Sequence, residues 1–511
     1  AVLSIVTLVQ AGILGVLPVQ YLAIGGVVVA LVDALLYLML VSPRINKVNR
    51  VLGFILCVAI IAVFAVGNVY LFRTNTVLDN ISHEGQQKNV ISVIVMDNSD
   101  IQRIEDIQGA IGMAKRIDTE GTQGLLKDLK DKSNLTPQTK EYNSLADLAN
   151  GLYGSDCDAI ILNESYRTMI SDEEKYEDFD KETRVIYSYT YYTEIQQTTK
   201  NVNVAEDPFT VLVSGIDTYG AIGTTSRSDV NMLVTVNPTT KCIQLVSIPR
   251  DYYVQTQCDE GSGCAVGEMD KLTHTGLYGV DTTIETVEDF LDIDIDYYAR
   301  ISFSSVIEII DVLGGIDVDV EIDFCEQDEN RNKDEAHQIC LAKGEQHLDG
   351  RQALAYARHR KTEGYDSAGR ERAQQRILKA VIDKLLSVDG ISSLSKLFDI
   401  IPSYVITNMP SDKIAAFARA QLEDMRPWAI ESLSLENGVN THMMLQASLN
   451  DYSDAYVFSR QDVQYIEWAY ESNEQRPKMS SFSFNLSDIA AGTKQISDDG
   501  SLVWSDQVIP Y

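Results

Sequence analysis

Residues 1–72 are almost entirely apolar and separate into three runs, at about 1–17, 21–42 and 51–72. The second and third runs are long enough, as helices, to cross a hydrocarbon core of about 30 Å. The first run is shorter, and because the chain begins at Ala1 rather than Met, we expect a preceding segment to complete it. A single cleavable signal peptide would not account for three such runs. The pattern therefore predicts three transmembrane helices within residues 1–73.

Residues 74–200 alternate between strand-like and helix-like segments, which is typical of a small α/β domain. Val90–Met96 and Asp158–Leu162 are apolar and rich in β-branched residues, and Leu145–Leu152 has the spacing of a helix. Some phrases loosely resemble extracellular solute-binding domains, but no ligand motif accompanies them. We predict an extracellular accessory α/β domain, and solute binding, a docking role and a spacer role all remain open.

Residues 201–475 carry the strongest pattern of strands and helices. Three strands are predicted from β-branched content, at Phe209–Ser214, Val230–Val236 and Ile243–Ile248. Ser304–Leu313 has helical spacing, and Ile316–Phe324 alternates with a period of two, as a half-buried strand does. We predict an α/β fold with a mixed sheet and helices on both sides. Residues 476–511 are predicted to be a polar tail.

Charge divides the chain in the same way. The whole sequence has 42 Lys and Arg against 74 Asp and Glu, a net charge of −32. Residues 1–73 are nevertheless +3, so the remainder is −35, which disfavours nucleic acid and a flat anionic membrane surface as partners. The loop Ser42–Arg50 has three positive charges and no negative ones, so the positive-inside rule places it in the cytoplasm. We expect a multi-pass protein of the cell membrane, with residues after about 73 outside the cell.

Four cysteines beyond the apolar region flank two polar loops. Cys258 and Cys264 bracket one loop, and Cys325 and Cys340 bracket the other. Outside the cell each pair can form a local disulfide, and four free thiols are the alternative. A zinc site is disfavoured, because the Cys and His spacings match no metal-ligand pattern.

A basic window at 351–376 interrupts the acidic region. Its seven cations are Arg351, Arg358, Arg360, Lys361, Arg370, Arg372 and Arg376. Arginine binds phosphate or carboxylate in a bidentate manner, although salt bridges on an exposed helix would explain the same composition. Helical spacing counted back from Leu378 places Gln374 and Arg370 on the core-facing side, at the helix N-terminus, where an anion would be stabilised.

Three aspartates and an arginine follow or precede the predicted strands. Asp217 ends one strand, Asp229 opens the next, and Arg250 and Asp251 follow the third. Strand ends that meet in one crevice are where α/β sheets bind ligands. Two carboxylates and a phosphate would form a magnesium site, and ordinary turn aspartates are the alternative.

These residues lie within phrases that resemble the LytR–CpsA–Psr family of Gram-positive cell-wall phosphotransferases. The matching phrases, in family order, are VLVSGIDTYG, SRSDVNMLVTVNP, VSIPRDYYV, KLTHTGLYG, VIEIIDVLGGIDVDV, LDGRQALAYARHR and GRERAQQRILKAVI. The three apolar runs and the intervening domain resemble the capsule-type CpsA branch.

The resemblance implies a transferase that moves a polyprenyl-pyrophosphate-linked glycopolymer, of capsule or teichoic-acid type, to peptidoglycan. It implies Mg²⁺, with Mn²⁺ as the alternative, at Asp217 and Asp229. It implies a catalytic set of Arg227, Arg250 and Asp229, and a pyrophosphate-binding set of Arg227, Arg250, Arg358, Arg360, Arg370 and Gln374. It also implies an apolar tunnel for the lipid, between the sheet and helices such as Ser304–Leu313, for which ordinary core packing is the alternative.

One position departs from the family pattern. A second Arg or Lys often stands three residues after the first helix arginine, and here that position is Ala373. Arg372 precedes it, but its side chain is expected to point about 100° away, so it is a weak candidate.

Two other functions remain open. A lipid pyrophosphatase would use the same arginines and metal. A membrane-anchored regulator or sensor is the second, but direct action on DNA would need a basic DNA-reading domain, for which the sequence has no motif.

Overall fold

The protein is described by a computed structural model. It describes residues 1–15, 17–42, 45–81, 86–115, 117–194, 202–216, 225–258, 264, 266–328, 335–387, 396–397, 404–434, 439–445, 451–457, 495–496 and 502–503.

The apolar N-terminal region forms three helices. They are α1 (Val2–Leu14), α2 (Val19–Val41) and α3 (Lys47–Ile81). Two segments of 23 residues, Val19–Val41 and Lys47–Val69, are long and apolar enough to cross a membrane. At 1.5 Å per residue α1 reaches only about 20 Å. Two of the three predicted spans are therefore supported, and the described length of α1 does not by itself support a third.

Residues 86–194 form a five-stranded sheet with helices, here called the five-stranded unit. Its strands, in the order β3-β2-β4-β1-β5, are β1 (Gln86–Met96), β2 (Ile111–Ala114), β3 (Thr139–Tyr142), β4 (Ala159–Asn163) and β5 (Thr183–Glu194). Its helices are α4 (Thr119–Ser133), α5 (Leu145–Tyr153), α6 (Arg167–Ser171) and α7 (Phe179–Glu182). Apolar side chains form a core on each face of the sheet, so the strand and helix predictions in this segment are confirmed.

A six-stranded mixed sheet follows, in the order β16-β11-β6-β7-β8-β17. Its strands are β6 (Phe209–Ile216), β7 (Val230–Asn237), β8 (Cys242–Ile248), β11 (Tyr297–Ser302), β16 (Val405–Thr407) and β17 (Ala429–Ser434). β6 is antiparallel to β7 and parallel to β11. The three strands predicted from β-branched content are the central β6, β7 and β8, which confirms them.

Helices cover both faces of the six-stranded sheet, as the sequence predicts. On one face α9 (Val280–Leu291) buries Val287 and Leu291 against Leu212 and Leu233 of the strands. On the other face α12 (Ser367–Leu386) and α13 (Ser411–Glu423) pack against the sheet. The α10 helix (Phe303–Val312) and α11 (Gly350–Arg358) contact each other beside α12.

The strand predicted at Ile316–Phe324 is split in two. Alternating burial is confirmed for β12 (Ile316–Val320), which pairs with β15 (Gly344–Leu348), but the chain leaves the extended ladder before β13 (Phe324–Gln327). The β13 strand pairs instead with β14 (Gln338–Leu341). Each strand therefore has its own hairpin partner outside the main sheet, which a pattern of period two does not reveal.

Both cysteine pairs are joined as disulfides, Cys258–Cys264 and Cys325–Cys340. The second disulfide joins residues that face each other across β13 and β14. The short elements still to be placed are β9 (Tyr253–Gln255), β10 (Met269–Lys271), α8 (Leu272–Thr275), β18 (Val439–Leu445), β19 (Asp451–Val457), β20 (Gln495–Ile496) and β21 (Leu502–Val503).

Candidate functional site

A cavity of about 650 Å³ lies between the six-stranded sheet and the helices α10, α11 and α12. Its body is apolar and its mouth is charged. The body is lined by Val211, Val213, Met232, Ala299, Ile301, Val306, Ile309, Ile310, Ile377, Leu378, Val381 and Leu385. The apolar side of α12 is therefore a cavity wall over part of its length.

The charged mouth collects every predicted site residue that the structure describes. These are Arg227, Asp229, Arg250, Arg358, Arg360, Arg370 and Gln374. The remaining prediction, Asp217, lies outside the described residues. Residues from four separate segments of the chain thus meet at one end of an apolar cavity.

The strand pairing explains why Asp229 and Arg250 are neighbours. Because β7 and β8 are antiparallel, the start of one lies beside the end of the other, with Asn231 opposite Ile248. Asp229 immediately precedes β7, its N–H donates to the carbonyl of Gly215 at 2.8 Å, and Arg250 follows β8. The hydrophobic patterns of two adjacent strands therefore determine where these two charges meet.

The segment that carries Arg227 passes close behind Gly276. A Cβ atom on Gly276 would lie 2.5 Å from the backbone nitrogen of Ser228, closer than real Cβ contacts allow. Ser228 is also held by the carbonyl of Thr273, at 2.9 Å, and by the hydroxyl of Ser214, at 2.8 Å. Glycine at position 276 thus permits the close approach that turns Arg227 toward the cavity.

Asp229 uses one of its two carboxylate oxygens within the protein. Its Oδ1 accepts hydrogen bonds from Nη1 of Arg250, at 2.6 Å, and from the hydroxyl of Thr273, at 3.1 Å. Its Oδ2 is buried and has no hydrogen-bond partner among the described residues. A buried, unsatisfied carboxylate oxygen is costly unless it meets a donor or a cation.

Arginine charges at the mouth are only partly compensated. Burial, together with the nearby charges of Arg250 and Arg360, lowers the pKa of Arg370. Burial opposes the charge of Arg250 as well, but Asp229 and Asp251 raise the pKa of that guanidinium above its ordinary value. Asp251 therefore acts as a counter-ion to Arg250, since their atoms lie 3.5 Å apart, and it does not line the cavity. An anion placed among these guanidiniums would relieve their mutual repulsion.

The helical phase predicted for α12 is confirmed at several positions. Arg370 and Gln374 line the cavity, and Gln374 also donates to the carbonyl of Ala357 at 3.2 Å. Arg372 points elsewhere and forms an ion pair with Glu321 at 3.1 Å, which removes it as a weak candidate for the site. Ala373, the departure from the family pattern, is fully buried in an apolar cluster with Ile377.

Arg358 and Arg360 reach the cavity from the end of a helix rather than from an extended strand. Arg358 is the last residue of α11, and its guanidinium lies over the ring of Phe303. The intervening His359 faces the opposite way, where its ring stacks on Phe324 with centroids 4.4 Å apart. Its Nδ1 lies 3.1 Å from a carboxylate oxygen of Glu326. His359 is therefore a buried structural residue.

Four residues at the mouth were not identified from the sequence. Glu326 and Gln327 come from the β13–β14 hairpin, Lys361 from the loop after α11, and Asp172 from the five-stranded unit. Asp172 Oδ2 accepts a hydrogen bond from Nη1 of Arg227 at 2.6 Å. Lys361 is part of the basic window that the sequence shows. The other three residues stand in no strand-end or helix-phase pattern, so no local signal in the sequence could have found them.

Comparison with known proteins finds a matching family and several similar proteins. A model of the LytR_cpsA_psr family matches residues 167–467. A polyisoprenyl-teichoic acid–peptidoglycan teichoic acid transferase, TagV of Bacillus subtilis, is 39% identical over 209 residues, which are 41% of this chain and 51% of that protein. The corresponding transferase TagU of Bacillus licheniformis is 35% identical over 207 residues, 40% of this chain and 61% of that protein. The chain thus spans between half and two thirds of these curated relatives.

A solved structure is also similar. The crystal structure of B. subtilis TagV is 31% identical to this chain, covers 53% of it and 99% of the solved chain, and superposes with a TM-score of 0.43.

Proposed function

The chain belongs to the LytR–CpsA–Psr family, and from this premise we propose that it is a membrane-anchored extracellular phosphotransferase. It would move a glycopolymer from a polyprenyl-pyrophosphate carrier to peptidoglycan, forming a phosphodiester. The observation that carries the proposal is the cavity, whose mouth holds five arginines and whose body is apolar. A pyrophosphate with a long hydrocarbon chain on one side matches both parts, because guanidinium groups bind phosphate and the apolar walls remove the chain from water.

The polymer is proposed to be of the wall teichoic acid type, with capsular polysaccharide as the alternative. The two curated relatives are named for transfer of teichoic acid from a polyisoprenyl carrier to peptidoglycan. We further propose that residues 201–475 are the catalytic domain and residues 74–200 an accessory domain, with the polar tail at 476–511.

The reaction needs little covalent chemistry from the protein. An acceptor hydroxyl of peptidoglycan attacks the phosphorus on the sugar side, the bond from that phosphorus to the bridging oxygen breaks, and polyprenyl phosphate leaves with that oxygen. The hydroxyl loses its proton as the new P–O bond forms. Arg227, Arg250, Arg358, Arg360 and Arg370 would stabilise the charge that develops on the phosphoryl oxygens and on the leaving phosphate. Gln374 would donate a hydrogen bond beside them.

The residues present fit a magnesium ion, with manganese as the alternative. The unsatisfied Oδ2 of Asp229 is a suitable ligand, and Asp217 is the proposed second one. Within the described residues no group of three His, Cys, Asp or Glu side chains could hold a metal by itself, so phosphate oxygens would complete the coordination. A bound Mg²⁺ would neutralise charge on the pyrophosphate.

A matched pair of arginines on α12 tests the proposal. Arg370 lines the cavity, whereas Arg376 lies on the same helix and pairs with Asp319 at 3.5 Å. The full chain in detergent would be given lipid-linked polymer, peptidoglycan and magnesium, and the covalent conjugate would be quantified. We expect Arg370→Ala to lower the rate of conjugation about 100-fold or more, as for loss of one charge-stabilising donor, and Arg376→Ala to leave it near wild type.

Equal rates for both variants would refute the site. Release of free phosphorylated polymer without any conjugate would instead support the alternative function, a lipid pyrophosphatase.

A further inference from the structure

One carboxylate at the mouth of the cavity belongs to the other folded unit. Asp172 caps the C-terminal end of α6, and its Oδ2 accepts from Nη1 of Arg227 at 2.6 Å. The side chain of Arg227 is 12% exposed, whereas that of Asp172 is 62% exposed. The arginine is therefore fixed in the wall, and the carboxylate reaches it from the solvent side of the mouth.

The packing between the two units fixes this contact. Leu277, which follows α8, is buried in the core of the five-stranded unit beside Met169 and Ile170 of α6. The hydroxyl of the next residue, Tyr278, is hydrogen-bonded to the hydroxyl of Tyr166. The helix that carries Asp172 is thus attached to the loop that begins at Gly276.

The same loop supports the segment of Arg227. Gly276 contacts the backbone of Ser226, Arg227 and Ser228, and on the far side the N–H of Thr225 donates to the carbonyl of Lys88 at 3.0 Å. The loop that begins at Gly276 therefore supports both the helix that carries Asp172 and the segment that carries Arg227. The Asp172–Arg227 ion pair is therefore part of the packed interface between the two units and is not an incidental contact between two surface side chains.

From this geometry we propose that Asp172 is a positioning residue that acts through Arg227, a built-in competitor that a phosphate group must displace before it can bind this arginine. The proposal rests on the proposed function and gives the five-stranded unit a role in it. Any phosphate group that binds Arg227 has to displace this carboxylate first, so its apparent affinity is lowered according to the fraction of Arg227 that is occupied. Asp172 would thereby weaken the binding of substrate and product alike and help the lipid phosphate product to leave.

Binding to the full chain tests this inference without any transfer reaction. Dissociation constants for polyprenyl pyrophosphate and for polyprenyl phosphate would be measured by calorimetry in detergent, for wild type and Asp172→Asn. We expect the variant to bind both lipids roughly five- to tenfold more tightly, since the arginine is no longer mostly occupied. Asp172→Glu should retain most of the weaker wild-type affinity.

Two controls separate the competing explanations. Asp156→Asn removes an exposed carboxylate of the same unit that pairs with Lys140 and does not line the cavity, so it should leave both constants unchanged. In an Arg227→Gln background the effect of Asp172→Asn should disappear, because competition requires the arginine.

Weaker binding of both lipids by Asp172→Asn would overturn the proposal, because it would mean that Asp172 orients Arg227 for the substrate. Unchanged binding would also overturn it. If Asp172→Asn binds both lipids more tightly as expected but wild type forms no conjugate, the proposed transfer fails while the role of Asp172 stands. If it binds neither lipid, both proposals fail.

Discussion

The buried pair of Glu326 and His359 holds the turn on which Arg358 and Arg360 stand. The side chain of Glu326 is only 5% exposed, and it contacts both His359 and Lys361 at 3.1 Å. Burial opposes ionisation of Glu326, but the N–H of Gln327, Lys361 and His359 together hold its pKa below the ordinary value. The ionised carboxylate is therefore the form that the folded protein stabilises.

This shift gives a pH dependence with a definite sign. Because the folded-state pKa of Glu326 is lower than its unfolded value of about 4.3, its contribution is full above that pH and is lost as the pH falls through the folded pKa. We expect Glu326→Gln to lower the free energy of unfolding by about 1–3 kcal/mol at pH 7, with the difference shrinking toward pH 3.5. Denaturant titrations at both pH values would measure it.

Glu363→Gln is the matched control, because Glu363 is exposed in the loop after α11. A loss that is equal at both pH values, or equal in both variants, would contradict the role given to the buried carboxylate.

At the residue scale, local periodicity predicted some site residues and missed others. Counting by four along α12 placed Arg370 and Gln374 inward, and the 100° step between neighbours placed Arg372 outward. Asp172 and Glu326 reach the mouth through packing between distant segments. No periodicity within a segment encodes such an approach, so these two residues required the structure.

The α12 helix has two roles at the element scale. Toward the sheet, Leu378 and Ile382 pack in an apolar core, while Leu378 and Val381 also face the cavity. Ordinary core packing and a wall of a lipid tunnel are therefore not exclusive for this helix, and a substitution that fills the cavity distinguishes them.

Val381→Trp places a large ring in the apolar body of the cavity, away from the arginines. We expect it to weaken binding of polyprenyl pyrophosphate about tenfold or more, since apolar surface of the lipid would stay in water, and to leave binding of inorganic pyrophosphate unchanged. Calorimetry with the two ligands measures both. Lys379 lies on the same helix with a side chain that is 44% exposed, so Lys379→Trp should change neither constant. Equal binding of the lipid by Val381→Trp and wild type would mean that the tail lies elsewhere.

Element identities were largely predictable, and element partners were not. The runs of β-branched residues gave β6, β7 and β8, because strands buried on both faces read as continuous apolar sequence. The order of strands in the sheet depends on long-range pairing, such as β11 beside β6 across more than 80 residues. The split of the segment at 316–324 into two hairpins has the same cause.

At the scale of the whole molecule, charge and hydropathy point to the same topology. In the sequence, Arg44 stands between the two helices long enough to cross a membrane, and Lys47 and Arg50 belong to the first turn of the second helix. The region after α3 is strongly acidic, with a charge of −35 beyond residue 73. A basic loop is retained in the cytoplasm, so α3 would lead outward to the five-stranded unit and the cavity.

Two exposed asparagines test this orientation directly. Asn49 lies in the first turn of α3, beside the basic loop, and Asn98 follows β1 in the five-stranded unit. We expect Asn98→Cys to react with a membrane-impermeant maleimide on intact cells, and Asn49→Cys to react only after the membrane is permeabilised. The wild-type chain gives the background, because its free cysteines are buried or half-buried. Labelling of Asn49→Cys on intact cells would place the basic loop outside, and the cavity would then face the cytoplasm, away from any peptidoglycan acceptor.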